Sequence, residues 1–416
     1  MEYKVGDLCT FQEGYVNPSQ KIEKYFDGPH KWVRAVDVNN NEIFNTSRTL
    51  SEEGFKSAKK SAYKFPANSI VITKSGTIGR VAIIKDEMAG NRATINIVPN
   101  EKLVNLYYLF YLLITKRQDL ENLAVGSVQK NLYISVLSTL KINVPELKKQ
   151  NKIAKVLKNI DDKIASNRQI IANLEELSQT LFKHWFVDFE FPDENGAPYK
   201  ANGGEMIDSE LGKIPKGWIV KSLDEIANYI NGLAMQKYPS NKEESLPIVK
   251  IKELKNGFTD ENSNRCTTEI PEKAKIDNGD IIFSWSATLL VKMWAGGKAG
   301  LNQHLFKVTS ETFPKWFYYL WTKRYIEYFI NIANDKATTM GHINRKHLSH
   351  AKIVLPTQLQ LENFDKIFHN LLEKQLNTEE EIKRLIELRD TLLPKLMSGE
   401  LEIPDDIEVN SDEFSI

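Results

Sequence analysis

Only two cysteines, Cys9 and Cys266, occur in 416 residues, and no Cys/His cluster surrounds either. Two unclustered thiols exclude a disulfide framework, argue against a structural zinc site and suit a reducing cytoplasm. No apolar run approaches the roughly 18–20 residues that span a bilayer. The start, Met1-Glu2-Tyr3-Lys4-Val5-Gly6-Asp7, lacks the basic, apolar and small-residue regions of a secretory leader, so a cytoplasmic location is expected. Enzyme signatures are missing as well. There is no Walker A sequence, no GxGxxG, no HExxH, no CxxC, no GxSxG elbow and no Asn-Pro-Pro-aromatic tetrapeptide. His342, His347 and His350 form the only histidine cluster, but no carboxylate or thiolate ligands accompany them. No metal site and no catalytic residue is expected.

What is present is a repeat. Over roughly 120 positions the chain matches itself at a fixed interval of 211 residues, without a gap. Asn91 falls on Asn302, Pro145 on Pro356, and Ser75-Gly76-Thr77 on Ser286-Ala287-Thr288. Leu174, Leu177 and Leu181 fall on Leu385, Leu388 and Leu392. The interval is far longer than the 20–50 residues of a solenoid unit, so each copy can bury its own core. A hydrophobic fraction of 41% and a charged fraction of 26% fit an ordinary globular protein.

The net charge of zero conceals a segregation. Residues 1–147 carry 19 Lys and Arg against 15 acids, and residues 215–357 carry 20 against 14. Residues 148–187 are also basic, at 8 against 4. Residues 188–214 carry 2 against 7, residues 358–398 carry 6 against 8, and residues 399–416 carry none against 7. Both repeated units are therefore basic, which favours a polyanionic partner without proving one.

Each unit has the same succession of signals. An apolar stretch, Val5-Gly6-Asp7-Leu8 or Leu223-Asp224-Glu225-Ile226, leads to a strand-like run, Trp32 to Val38 or Ile248 to Lys252. A stronger strand follows at 69–73 and 280–284. Aromatic-rich helices are expected at 106–113 and 316–321, where such density at helical spacing indicates core. Each unit closes on a β-like run into proline, at 140–145 and 351–356.

Two long helices follow the units. Ile153, Leu157, Ile160, Ile164, Asn167, Ile171, Leu174, Ser178, Leu181 and Trp185 alternate at spacings of four and three. Phe364, Phe368, Leu371, Gln375, Thr378, Ile382, Leu385, Arg389, Leu392 and Leu396 do the same. Both are coiled-coil seams with polar breaks that restrict register. The fold class is α+β: two similar units separated by two long helices that form an intramolecular antiparallel coiled coil with pseudo-twofold symmetry. The divisions are 1–147, first unit; 148–187, central helix; 188–214, connector loop; 215–357, second unit; 358–398, distal helix; 399–416, acidic tail.

Loops in register between the copies are the candidate binding residues. Lys74, Ser75, Gly76, Thr77 and Arg80 follow the central strand of the first unit, and Ser284, Trp285 and Ser286 take their place in the second. Small hydroxyls, glycines and cations let backbone amides and positive charge approach phosphate, although a tight strand-end turn explains the same residues. Asn91 and Arg92 match Asn302, Gln303 and His304. Arg can pair with guanine and Asn or Gln with adenine; alternatively the two asparagines cap turns. A third loop carries Gln129, Lys130 and Asn131 in one copy and Thr339, His342, Asn344, Arg345 and Lys346 in the other. Here position is kept while identity diverges, as two readers of different sequences require.

At this point the chain resembles the specificity subunit of type I restriction-modification systems. The resemblance rests on Phe182-Lys183-His184-Trp185-Phe186-Val187-Asp188-Phe189, on Leu388 through Leu401 and on Leu211-Gly212-Lys213-Ile214-Pro215-Lys216-Gly217-Trp218. It covers nearly the whole chain. It implies two target-recognition domains that each read half of a split, asymmetric site on double-stranded DNA, and helices that fix their spacing. It also implies partners: modification subunits, two of them expected, and restriction subunits. S-adenosylmethionine, ATP and Mg would sit on those partners, with no cofactor in this subunit. The rival reading is a coiled-coil adaptor that binds proteins and not DNA. It explains the helices and the duplication but not the basic units.

Overall fold

The structure, a computed structural model, describes residues 1–126, 130–240, 244–335 and 343–404. The chain divides into two compact units: Met1–Asp162 with Glu387–Ile416, and Lys163–Ile386.

Unit 1 begins with β1 (Glu2–Lys4), α1 (Val5–Leu8), β2 (Cys9–Glu13), β3 (Phe26–Val33), β4 (Asn41–Ile43), β5 (Thr49–Leu50) and α2 (Glu52–Lys56). It continues with β6 (Lys64–Phe65), β7 (Ser69–Thr73), β8 (Val81–Ile84), β9 (Met88–Gly90) and β10 (Thr94–Pro99). Helices α3 (Leu106–Thr115), α4 (Arg117–Leu123) and α5 (Ile134–Leu137) precede β11 (Lys141–Asn143) and the long α6 (Leu147–Phe186). One sheet has the order β2-β10-β7-β8-β4, a second has β5-β3-β9-β6, and β1 pairs with β11. Strand β7 is buried along its whole length, as the apolar run Ile70-Val71-Ile72 requires of a central strand.

Unit 2 follows the same plan. Its elements are β12 (Met206–Ser209), β13 (Gly212–Pro215), β14 (Ile219–Ser222), α7 (Leu223–Ile226), β15 (Asn228–Asn231), β16 (Ser245–Val249), α8 (Ile251–Asn256), β17 (Arg265–Thr267) and β18 (Lys275–Ile276). Then come β19 (Ile281–Ser284), β20 (Leu290–Met293), β21 (Ala299–Leu301), β22 (Leu305–Thr309), α9 (Lys315–Arg324), α10 (Ile326–Asp335), α11 (Arg345–His350), β23 (Lys352–Leu355) and α12 (Gln358–Ser398). The sheets run β15-β22-β19-β20 and β17-β16-β21-β18, with β14 beside β23. Apart from the β12–β13 hairpin this is the topology of unit 1 without β4, which adds an edge strand parallel to β8.

Three expectations need correction. The strand signal at Trp32–Val38 ends at Val33. Asp37 then accepts the Arg34 N–H at 2.9 Å, and the Asp37 N–H donates to Arg34 O, so residues 34–37 form a turn. Its counterpart stops at Val249, where Glu253 accepts the Lys250 N–H at 3.1 Å and starts α8. A side chain competing for backbone N–H groups overrides the alternating pattern in both places. The connector 188–214 is not all loop. Strands β12 and β13 form a hairpin through Glu210-Leu211, closed by the Ser209–Gly212 pair with Gly212 at φ +87°, and Phe191 stacks on Trp218 at 5.0 Å. Finally, the repeat is gapless in sequence but not in the fold. Ile70 pairs with Ile83, whereas its counterpart Ile281 pairs with Met293, so the second turn is one residue shorter. A compensating residue before β21 restores the interval.

The aromatic helices are core. Tyr107, Tyr108, Phe110 and Tyr111 are buried in α3, as are Trp316, Phe317, Tyr318, Tyr319 and Trp321 in α9. Cys9 is buried too, which pushes its thiol up to about 12 and leaves it unreactive at neutral pH.

Helix α6 holds 40 residues, roughly 60 Å of rod. Within unit 1 its Asp161 accepts a 2.9 Å bond from Arg389 of α12, and Ile153 and Leu157 share a core with Leu393 and Leu396. Within unit 2 Asn167 meets Glu381, Glu175 meets Gln375, Phe182 meets Phe368 and Trp185 meets Phe364. Numbers rise on one helix as they fall on the other, so the pairing is antiparallel. Among the seam residues Ile164, Asn167, Gln375 and Thr378 are buried, while Ile160, Ile171, Leu174, Leu181, Leu371, Ile382, Leu385 and Leu392 are half-buried.

The polar middle of the seam carries a strained carboxylate. Burial pushes the Glu379 carboxyl above its usual range, against the Gln375 hydrogen bond and the attraction of Lys292 and Lys323. An acid raised in the folded state destabilises increasingly as pH climbs past the ordinary carboxylate range. Glu379→Gln is therefore expected to raise the unfolding temperature at pH 7.5, with the gain shrinking toward pH 4. Thermal melts at both pH values check this; a lower melting point at pH 7.5 would show that the lysines outweigh burial.

Candidate nucleic-acid interface

In unit 1 three loops distant in sequence meet at the end of β7. The Lys74 N–H donates to Ala93 O at 2.8 Å, and the Leu132 N–H donates to Lys74 O at 2.9 Å. Ser75 bridges to Asn131, which also exchanges backbone bonds with Val125. The turn itself needs Gly76 at φ +74° and Gly79 at φ +80°, a region that disfavours any side chain. Thr73 Oγ1 accepts the Arg80 N–H at 3.1 Å and closes the turn. The loops singled out at 74–80, 91–92 and 130–131 thus form one surface. Gly76, Arg92 and Lys130 are exposed on it; Ser75, Thr77, Arg80, Asn91 and Asn131 are half-buried. Gln129 lies outside the described residues.

Individual side chains are more committed than their types suggest. Lys74 forms a half-buried 2.9 Å ion pair with Glu13, so its charge is largely compensated. Asn91 Oδ1 accepts the Ala93 N–H at 2.9 Å, and its Nδ2 donates to Asn17 at 2.8 Å. It caps the 91–94 turn.

Unit 2 repeats the frame. The Ile343 N–H donates to Trp285 O at 3.2 Å, the counterpart of the Leu132–Lys74 bond. Ala287 falls on Gly76 and holds the same left-handed conformation, at φ +57°. Asn302 is buried and accepts the His304 N–H at 3.4 Å, another turn cap. Ser284 and Ser286 are buried, and the Ser284 hydroxyl donates inward to Ser286 O. Neither is placed to meet a macromolecule, in contrast to their listing as surface candidates on sequence grounds. Ser284 is the last residue of the buried strand β19, as Thr73 is of β7. Trp285 packs against His304 and Phe306 at 6.0 and 5.7 Å. Asn344 caps α11 through the His347 N–H, Arg345 donates to Tyr229 O at 3.4 Å, and Lys346 is exposed. Gln303 is half-buried beside the exposed His304. Thr339 and His342 lie outside the described residues. Among those described, no three His, Cys, Asp or Glu side chains converge on a metal position.

Sequence reading missed Asn17, Arg34 and Lys250. The Asn91 N–H donates to Val33 O at 3.0 Å, and the Asn302 N–H to Val249 O at 3.1 Å. A cation therefore follows each strand beside the capped turn: Arg34 in one unit, Lys250 in the other. Val33 and Val249 stand five residues out of the 211-residue interval, so matching the copies at that interval does not align them.

A model of the type I restriction modification DNA specificity domain matches residues 1–176 and again 215–388. The chain belongs to this family. It is 30% identical over 411 residues to the type I restriction enzyme MjaIX specificity subunit of Methanocaldococcus jannaschii, covering 96% of this chain and 93% of that one. It is 24% identical to the HindI specificity subunit of Haemophilus influenzae, over 96% and 99% of the two chains. A crystal structure of a type I system S subunit from M. genitalium shares the fold, with a TM-score of 0.57 at 16% identity and 95% coverage of each chain. A DNA specificity subunit is thus what the duplicated, basic units build, and the adaptor reading is not favoured. No described helix is long and apolar enough to cross a membrane.

Proposed function

We propose that each unit reads one half of a bipartite, asymmetric site on double-stranded DNA. One observation carries this reading. The same backbone frame, Asn91 on Val33 and Leu132 on Lys74, recurs as Asn302 on Val249 and Ile343 on Trp285, but presents different side chains. Cations at the rim hold phosphate and make affinity salt-dependent, while polar turn residues meet base edges in the major groove. Because the turns differ, the half-sites differ.

The chain contributes recognition and no catalysis. Methyl transfer from S-adenosylmethionine belongs to modification subunits, two per specificity subunit, and ATP- and Mg-dependent cleavage to restriction subunits, all in the cytoplasm. The units depend on these partners to turn binding into modification at the chosen site.

Helices α6 and α12 act as the ruler between half-sites, as dimer geometry sets operator spacing. Removing one heptad from each helix is expected to change the spacer and leave both half-site sequences unaltered. The check is to express the variant with its modification partners and map methylated positions across a genome. Altered half-site bases with an unchanged spacer would overturn the ruler.

A further inference from the structure

Residues 15–65 of unit 1, which lie outside the 211-residue register, contain an unusual arrangement of cations. Phe26 and Trp32 on β3 are buried neighbours, their ring centroids 5.9 Å apart. The Arg48 guanidinium lies 3.5 Å from the Phe26 ring centroid, and that of Arg34 lies 5.2 Å from the Trp32 centroid. The Trp32 indole is itself fixed, since Nε1 donates to Val16 O at 2.8 Å. Two arginines thus rest on two anchored rings.

Their other contacts are neutral. Arg34 Nη2 donates to Ser47 Oγ at 2.6 Å, and Arg48 Nη1 donates to Gln20 Oε1 at 2.9 Å. Arg34 Nε has no acceptor among the described residues, and neither arginine has a carboxylate within ion-pair distance there. Asp37, the acid nearest Arg34 in sequence, spends one oxygen on the Arg34 N–H and the other on the Ser47 N–H. Four of the lysines around them are ion-paired. Lys24 pairs with Glu53, Lys31 with Asp86, Lys56 with Glu52 and Lys64 with Glu87. Four lysines of this stretch are thus paired with carboxylates, while the two arginines over the rings, like Lys21, Lys59 and Lys60, are in no ion pair among the described residues.

A guanidinium already held over a ring loses little further entropy when it meets an oxyanion, and its planar fork matches phosphate. Arg34 also directly follows Val33, whose carbonyl holds the Asn91 turn. We propose that Arg34 and Arg48, with the Ser47 hydroxyl between them, form a phosphate clamp that grips the DNA backbone next to the bases met by unit 1. This rests on the reading of unit 1 as a DNA-recognition unit. Unit 2 has no equivalent: Lys250 donates to Asn264 at 2.6 Å, and no arginine lies over an aromatic ring among its described residues. The clamp is asymmetric, so DNA is anchored more tightly at one half-site.

The test is a salt titration of duplex binding by the full chain, comparing the native protein with Arg34→Gln/Arg48→Gln and with Arg48→Gln alone. The double variant is expected to lose roughly tenfold or more in affinity and about two units of the log K against log salt slope. The loss should be equal for cognate and altered first half-sites. Arg48→Gln leaves the Arg34–Ser47 bond intact, so it tests the clamp even where the double variant unfolds, and it should remove about one unit of slope. An unchanged slope in Arg48→Gln overturns the clamp, as does a change of preference at one base with the slope kept. Absence of salt-dependent binding by the native chain would instead overturn the DNA reading itself.

Discussion

Phe186→Ala is expected to cost unit 2 about 3–5 kcal/mol. Phe186 closes α6 and is 1% exposed. Its ring stacks on Phe182 at 4.7 Å and meets Phe364, Trp218, Trp316, Phe317 and Phe368 between 5.5 and 6.1 Å. Truncation would open a cavity walled by rigid rings, which collapse poorly into the gap. Aromatic pairs add about 0.5–1.5 kcal/mol each beyond their buried area. Phe186→Leu should cost less because it keeps most of the volume. Leu177→Ala, at a side chain 51% exposed on the same helix, should stay within about 0.5 kcal/mol. Urea unfolding followed by tryptophan fluorescence is a direct measure, since Trp185, Trp218, Trp316 and Trp321 all belong to this cluster. A loss below about 1 kcal/mol for Phe186→Ala would mean the cluster does not hold α6 to unit 2.

The second large effect is expected at Gly14 and Gly232. Neither has a left-handed backbone; the need is for space. A Cβ on Gly14 would lie 2.1 Å from Asn91 O, and one on Gly232 would lie 2.3 Å from Asn302 O. Both glycines also donate across the sheet, to Thr94 O at 3.0 Å and Leu305 O at 2.9 Å. Alanine at either position must push the strand away from the turn that carries the capping asparagine. Overpacking against backbone costs typically 1–3 kcal/mol, and more where neither side can yield. Gly14→Ala should therefore weaken recognition of one half-site and Gly232→Ala the other, read by methylation mapping in the assembled system. Equal loss of both half-sites from a single substitution would show that the two turns do not act separately.

How much of this could be read from the residues depends on whether the signal is local. The strand at 69–73 and the two aromatic helices were legible because long apolar runs leave little choice of structure. The distal helix, 358–398, coincides with α12, since a seam sustained over several heptads has no stable alternative. Turns were harder. Trp32–Val38 alternates like a strand, yet the Asp37 carboxylate captures backbone N–H groups and ends it. The candidate surface was half legible. The three loops meet at the end of β7, but Ser284 and Ser286 turn inward and Lys74 is spent on Glu13. An ion pair between residues 13 and 74 leaves no trace in either neighbourhood.

The sequence by itself determined that this is a duplicated protein with basic units, two long helices and the closing motifs of a DNA specificity subunit. Periodicity, composition and repeat are properties of the chain, and each maps onto local structure without knowledge of the fold. Only the tertiary structure decided which polar side chains remain free to act. Arg34 and Arg48 are ordinary residues in the sequence. They become a matched pair because β3 sets Phe26 and Trp32 side by side and because Asp37 is occupied by backbone amides. Whether a cation is compensated depends on what folding places within about 4 Å of it, where the interaction between charges is strong.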